Sequence, residues 1–482
     1  MATGLKPGMQ SVVVVGAGPV GSLAALYAAS HHDNVEIYDI RPDDVQNPSC
    51  HSPMFRKSIN FTLSERGLRA MRQSKHKGFV DAVAQAAIPM NGRMIHGKSA
   101  SGRLQESFHP YDINGNTVYS VERMALNKAL RKALEETPNI KIHFNHRFVR
   151  ANFCARKAWF KQQEPSSPEV EVNFDFLIGA DGVHSAVRYH MMKYAYTDYE
   201  QKYVDTRWCE LRIPPSADGH FSLSPGQVHI WPSGDFTLVG FPCPDKSFNC
   251  TLFGPSARLD FIKSSPRAKL FDFFDTYFPG ICPHRISRES LKTQFHENPH
   301  LPLVTVKCNP HHFGSSAVII GDAAHAILPF YGQGLNAGME DVRVLFNMLE
   351  KKGVYAASDP QARNEARSLA FQAYTAERVH DVHTIHNVAE RAYFEIRQGV
   401  NTPIYRTRKY IEDSLQRHVP QLGWQTMHSR ISFTEQRYSE IVRADQRQGK
   451  ILAAGVALAF FLIVSIGMII IGFLIDSMVY YE

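Results

Sequence analysis

The chain has little of what would mark a disulfide framework, a metal enzyme or a nucleic-acid binder. Its seven cysteines (Cys50, Cys154, Cys209, Cys243, Cys250, Cys282 and Cys308) are scattered over 482 residues without one C-x-x-C pair. An odd, unpatterned set fits a reducing compartment and reads as ordinary buried thiols. No HExxH run accompanies the twenty-three histidines. His380, His383 and His386 recur every three residues and share a helix face, but no carboxylate cluster joins them. They are expected to form a solvated face, and no metal is assigned. His31-His32 and His311-His312 sit beside loops without ligand spacing. Lys/Arg blocks and interleaved aromatic-basic runs are also missing, and a formal charge of +7 is mild for this length, so no nucleic-acid partner is expected. Repeats and low-complexity tracts are lacking.

What is present begins at Ser11. A hydrophobic content of 44% and a charged content of 21% are globular values, and the length allows two or three domains with real cores. Val12–Val15 is a continuous apolar run, as in a parallel strand buried on both faces. Gly16-Ala17-Gly18-Pro19-Val20-Gly21 follows, then a helix of small and apolar residues (Ser22–Ser30), then a second strand, Val35–Tyr38, ending in Asp39. This is the dinucleotide-binding fingerprint in its full context. Gly16 makes the tight turn, Gly18 admits a pyrophosphate, Gly21 lets helix pack on strand, and Asp39 holds a ribose. The embedded glycines, the later acid and the lack of a basic leader argue against a signal peptide.

Two later segments have the same grammar. The apolar strand Ala317–Ile320 runs into Gly321-Asp322, and Gly332, Gly334 and Gly338 then open a helix. Free N–H groups and the helix dipole at such a start favour an anionic ligand, while Asp322 can accept from a sugar hydroxyl. Between them, the strand Phe174–Ile178 leads into Gly179-Ala180-Asp181-Gly182-Val183-His184-Ser185-Ala186-Val187-Arg188. The first fingerprint alone leaves NAD and FAD level. The trio resembles the flavin-dependent aromatic hydroxylases, in which the middle motif serves FAD and a transient nicotinamide cofactor. The lack of a second GxGxxG suits a family whose NADPH has no Rossmann domain of its own.

Ile451–Ile475 carries no charge over 25 positions. At 1.5 Å per residue this covers about 37 Å, enough for a bilayer core with some tilt. Arg443, Arg447 and Lys450 precede the span and seven residues follow it, so the positive-inside bias predicts a tail anchor with the catalytic body in the cytosol. The resulting expectation is an α/β protein with a doubly wound, Rossmann-like FAD-binding domain (residues 1–72, 115–190 and 300–345). A substrate domain (73–114 and 191–299) is built on an inserted antiparallel sheet, with strands at Trp208–Ile213, Val228–Trp231, Phe236–Phe241 and Phe248–Phe253. A helical region (346–445) and a transmembrane helix (451–475) complete it. The run Phe271–Phe278 reads as helix core.

The resemblance narrows at Phe55–Asn60, Leu63–Gly67, Ile88–His96, His229–Pro232, Cys250–Phe253 and Gly321–Glu340, all similar to the kynurenine 3-monooxygenase family from residue 11 to about 440. It implies flavin contacts at Val20, Tyr38, Asp39, Ile40, Arg41, Thr62, Arg123, Phe148, Ala186, Asp322, Leu335 and Asn336, beside Gly16, Gly18, Gly21 and Asp181. Arg93 would grip the carboxylate of L-kynurenine with its planar fork, and Tyr111 would hydrogen-bond the same group. Pro329, Phe330 and Gln333 would line the pocket as positioning groups, with no catalytic side chain. Where the family carries an asparagine and a tyrosine as further substrate contacts, this chain aligns Ala392 and His428. The implied reaction is NADPH- and O2-dependent 3-hydroxylation of L-kynurenine through a flavin hydroperoxide, in tryptophan degradation and NAD biosynthesis. The implied address is the mitochondrial outer membrane, which the span's physics does not separate from the endoplasmic reticulum. Two alternatives remain open: a related hydroxylase of another amino-aromatic acid, and a non-catalytic membrane-tethered flavoprotein.

Overall fold

The computed structural model describes residues 9–43, 60–99, 101–164, 166–398 and 403–479; Cys50 and Phe55–Ile59 lie outside them. Val12–Val15 is buried on both faces because Ser11–Val15 is an inner strand of a six-stranded sheet. The order is His312–Phe313, Ala317–Ile319, Phe176–Gly179, Ser11–Val15, Asn34–Tyr38, Ile140–His143, parallel throughout except for the first hairpin. Parallel strands need crossovers that cover the sheet, hence the unbroken apolar runs. On one face the Pro19–Ser30, Arg123–Glu135 and Gly334–Lys351 helices supply Leu23, Leu26, Leu126, Leu130, Val342 and Leu345 to the core. The other face is covered mainly by a small antiparallel sheet (His146–Asn152, Lys157–Gln162, Glu169–Asn173), whose Phe148 and Phe160 pack on Val13, Val15 and Tyr38.

The four expected substrate-domain strands all form. They belong to a seven-stranded sheet ordered Leu301–Asn309, Asp198–Ile213, Phe248–Gly254, Phe236–Pro242, Gln227–Ser233, Gly92–Lys98, Leu104–Pro110. One pairing departs from the antiparallel expectation, since Gln227–Ser233 and Gly92–Lys98 run parallel. Two segments lie elsewhere than their sequence position suggested. Leu301–Asn309, assigned to the last flavin segment, pairs along Asp198–Val204 as an outer strand of this sheet. Residues 77–90, assigned to the substrate domain, side with the flavin domain: Phe79 and Val83 enter its core, and Ile88–Met90 pairs with Val118–Glu122. In both cases the choice between two neighbouring cores depends on long-range packing, not on local pattern.

The Arg267–Tyr277 helix buries Phe273 and Phe274 beside Phe278, as its pattern required. The histidine face does not behave as expected. His386 on the Pro360–Gln398 helix is buried and lies 3.2 Å from Glu390, because this helix packs on the Gly334–Lys351 helix and also on the substrate-domain sheet, where Ala389 and Tyr393 meet Phe253 and Leu303. His311 is wholly buried too, and among the cysteines Cys154 is exposed, not buried. The last helix, Tyr438–Val479, begins inside the body with Tyr438, Ser439 and Ile441 buried. Its Tyr438–Gly472 portion is the one helix among the described residues long and apolar enough to cross a membrane, and its most apolar stretch packs against nothing.

Candidate active site

The glycine motifs converge because two of them need each other's space. Gly16 has φ +103°, and a Cβ there would lie 2.4 Å from Ala180 O; one at Gly21 would lie 2.0 Å from Gly16 O. The first and middle motifs therefore touch backbone to backbone. Val20 fills the hollow left by the third motif, since a Cβ on Gly338 would fall 2.8 Å from its Cγ2. Gly18 and Gly334 differ: a Cβ on either meets nothing within 4 Å. They stand at the starts of the Pro19–Ser30 and Gly334–Lys351 helices, whose first N–H groups have no intrahelical acceptor. Two open, glycine-lined helix starts over one sheet form a cradle that fits the pyrophosphate and the ribityl-flavin end of FAD.

The acids expected around it behave differently from one another. Asp39 accepts from Ala17 N (2.6 Å) and from Arg41 N, Nε and Nη2 (2.8, 2.9 and 2.7 Å). Burial pushes its carboxyl up, but the Arg41 hydrogen bonds and charge outweigh this and leave it below the usual range. All four of its acceptor positions are filled, so a ribose hydroxyl must displace an Arg41 donor. Asp181 accepts from Ser185 Oγ (2.5 Å), Ala186 N (2.7 Å) and Val187 N (3.0 Å), and so fixes the turn before Ala186. Asp322 is accessible yet ringed by protein, as a group on the wall of a deep cleft must be. That crowding raises its carboxyl, with His325 and Arg123 pulling it down. Arg123 and Asp322, from separate motifs, thus face the same space.

Asn336 works through its side chain as a brace: Oδ1 accepts from Ser64 N (2.9 Å), and Nδ2 donates to Thr62 O and Gly332 O (both 2.8 Å). Thr62 in turn touches the space above Gly332, and Leu335 packs on the edge of the main core. Tyr38 and Phe148 are interior: Tyr38 stacks on Phe160 at 3.8 Å and Phe148 meets Phe160 edge-on. Ile40, next to Asp39, is 46% exposed. Glu122, Cys243 and Asp245 bring ligand atoms within 4.8 Å of one another, but burial lifts the Cys243 thiol to about 12 and keeps it protonated.

Arg93 projects from the Gly92–Lys98 strand. Its guanidinium lies 5.6 Å from the Tyr111 ring, and its Nη2 is 3.1 Å from Nδ1 of His428, whose ring is 4.8 Å from that of Tyr111. A guanidinium only donates, so Nδ1 of His428 accepts. Burial raises the Tyr111 hydroxyl, with the Arg93 charge opposing it. Phe330 sits between Phe253 (4.8 Å) and Tyr393 (4.7 Å), while Pro329 is exposed. Ala392, buried on the Pro360–Gln398 helix, offers only a methyl group. Gln333 is buried and accepts from the Tyr438 hydroxyl at 3.0 Å.

Sequence reasoning missed the ionic network beneath these loops. Glu340 pairs with Arg66 (2.5 Å) and Arg378 (2.7 Å), and Asp341 pairs with Arg378 (2.7 Å) and His325 (2.5 Å) while accepting from Gly321 N (2.8 Å). Burial alone would raise both carboxyls, yet the opposing charges hold both below their ordinary values. The available signal was two adjacent acids on an otherwise apolar helix face.

A family model described as an FAD binding domain matches residues 9–213 and 260–383. Kynurenine 3-monooxygenase 2 of Aspergillus niger is 54% identical over 456 residues, covering 92% of this chain and 93% of its own. The kynurenine 3-monooxygenase of Neosartorya fischeri is 53% identical over 471 residues, with 95% and 91% covered. A solved structure of 2-methyl-3-hydroxypyridine-5-carboxylic acid oxygenase superimposes with a TM-score of 0.63 at 19% identity, covering 82% of this chain and 95% of that one, and shares the fold. With half the residues identical over nine-tenths of each chain, and a cradle shaped for FAD, the chain belongs to the kynurenine 3-monooxygenase family of FAD-dependent aromatic monooxygenases.

Proposed function

We propose that the protein hydroxylates L-kynurenine to 3-hydroxy-L-kynurenine, consuming NADPH and O2. The observation that carries the substrate reading is the Arg93–Tyr111–His428 group: a cation and a phenol brought together beside one imidazole, whose ring lies 5.7 Å from that of Tyr331 in the third glycine motif. An amino-acid carboxylate suits Arg93, whose fork grips both oxygens, with the Tyr111 hydroxyl as a second donor. His428 turns the guanidinium toward the ligand. Bound FAD, reduced by NADPH, supplies the activation of O2. Gly16, Gly18, Gly21, Val20, Asp39, Arg41, Thr62, Arg123, Asp181, Ala186, Asp322, Leu335 and Asn336 would hold it directly or through the turns they fix, with Tyr38, Ile40 and Phe148 beneath or beside. Phe330, Pro329 and Gln333 would wall the ring of the substrate and exclude water. The balance is kynurenine + NADPH + H⁺ + O2 → hydroxykynurenine + NADP⁺ + H2O.

The apolar helix would anchor the protein in the mitochondrial outer membrane with its body in the cytosol, and the reaction would serve tryptophan degradation and NAD biosynthesis. The test is NADPH consumption by detergent-solubilised protein with and without L-kynurenine, with products identified by mass. Stimulation with a product one oxygen heavier supports the reading. Bound FAD without stimulation refutes kynurenine as substrate, and a related amino-aromatic acid then takes its place.

A further inference from the structure

We propose that Tyr438, in the first turn of the long apolar helix, is a positioning residue for the 329–336 loop, acting through Gln333. The inference rests on the reading above only in taking that loop to face the flavin. Tyr438 is 1% exposed and Gln333 2%, so their 3.0 Å hydrogen bond is made without competing water. Gln333 directly precedes the Gly334–Lys351 helix, where a side-chain shift moves the first free N–H groups of that helix. Among the described residues the Gln333 side chain makes no other hydrogen bond. The phenol ring is held in turn. Arg66 lies 4.0 Å above it, and the same guanidinium binds Gln436 O (2.6 Å) and Glu340 (2.5 Å). From Glu340 the contacts run through Arg378 to Ala337 O (3.2 Å) and Asp341, and from Asp341 to Gly321 N (2.8 Å). The start of the apolar helix is therefore tied to the third glycine motif at two points, to Gln333 through a single hydroxyl and to Gly321 through buried ion pairs.

A plain packing role would need only the ring, which already sits against Ala337, Ile385, Ile431 and Ile441. The hydroxyl separates the two roles. In the full-length holoprotein in detergent micelles, Tyr438→Phe keeps the ring and its Arg66 contact and removes only the donor. The expected result is unchanged FAD content and a melting temperature lowered by no more than about 3 °C, with hydrogen exchange at amides 332–337 faster by roughly fivefold, the weight of one neutral hydrogen bond. The share of NADPH equivalents appearing as peroxide (NADPH + H⁺ + O2 → NADP⁺ + H2O2) should rise several-fold. Gln333→Leu should give the same exchange change, and the double variant no more than either alone. Exposed Glu440, two residues on, serves as the control: Glu440→Gln should match wild type. Wild-type exchange in Tyr438→Phe, or additive effects in the double variant, overturns the proposal. Should Tyr438→Phe shed FAD, Gln333→Leu decides alone, by faster or unchanged exchange. Because exchange is measured without substrate, the outcome stands even if kynurenine proves not to be the substrate.

Discussion

Arg93 is the residue on which substrate recognition turns in the proposed function. Replacing it with alanine removes a charge-assisted pair, and KM for L-kynurenine should rise roughly 10- to 100-fold with a smaller change in kcat, measured by steady-state NADPH oxidation. His428→Asn keeps an acceptor near the Nδ1 position and should stay within a few-fold of wild type, whereas His428→Phe should approach the Arg93 variant. At Gly16, alanine would bring a Cβ to 2.4 Å from Ala180 O at φ +103°, so Gly16→Ala should purify without the 450-nm flavin band. The glycines could be read from sequence because each answers a local backbone demand. His428 could only be suspected from family alignment, since its partner lies 335 residues away and nothing near either residue announces the pairing.

Among elements, the Gly334–Lys351 helix depends most on distant charge. Arg378 is 1% exposed and bridges Glu340 and Asp341, so Arg378→Leu removes the charge they share and leaves Glu340 to Arg66 and Arg343, and Asp341 to His325 and Gly321 N. A loss of about 3–5 kcal/mol in urea unfolding is expected. Ile320→Val, a single methyl from the adjoining strand end, should cost only about 1 kcal/mol. Elements with a strong local period were legible: the strands at Val12–Val15 and Phe236–Phe241 lie where alternation and apolar runs put them. Leu301–Asn309 was not, because its pattern suits an outer strand of either sheet and only its pairing with Asp198–Val204 decides. The buried side of His386 was hidden for a similar reason: histidine spacing defines a face but not what covers it.

For the whole molecule, acidity is the exposed flank. Burial lowers His311 to about 3 and His386 to about 4, and His96 and His229, 2.8 Å apart, to about 3 and 4. These imidazoles are neutral in the fold and titrate near 6.5 when unfolded, so their contribution is present above about pH 6.5 and is lost as pH falls toward the folded values. For wholly buried His311 this alone amounts to about 2 kcal/mol by pH 5. Asp341, held low by its partners against burial, acts in the same direction at lower pH. Asp33, raised to about 7 by burial, acts oppositely: its neutral form favours the fold in acid, and this is lost as pH rises through 7. The urea midpoint should therefore drop between pH 7.5 and 5, and His311→Leu should flatten the drop.

Scale also changes the meaning of the last helix. Its 42 residues make a rod of about 63 Å with no hinge between Ile441 in the core and Ile451 in the open, only about 15 Å further on. A flexible tether would let the body drift and tumble above a bilayer; a stiff mast sets its height and lean. Where that mast is embedded, a thinner or thicker bilayer changes its tilt, and the tilt arrives at Tyr438 undiminished. Turnover in vesicles of graded acyl-chain length then becomes a readout of membrane thickness, a sensitivity that a floppy linker would have erased.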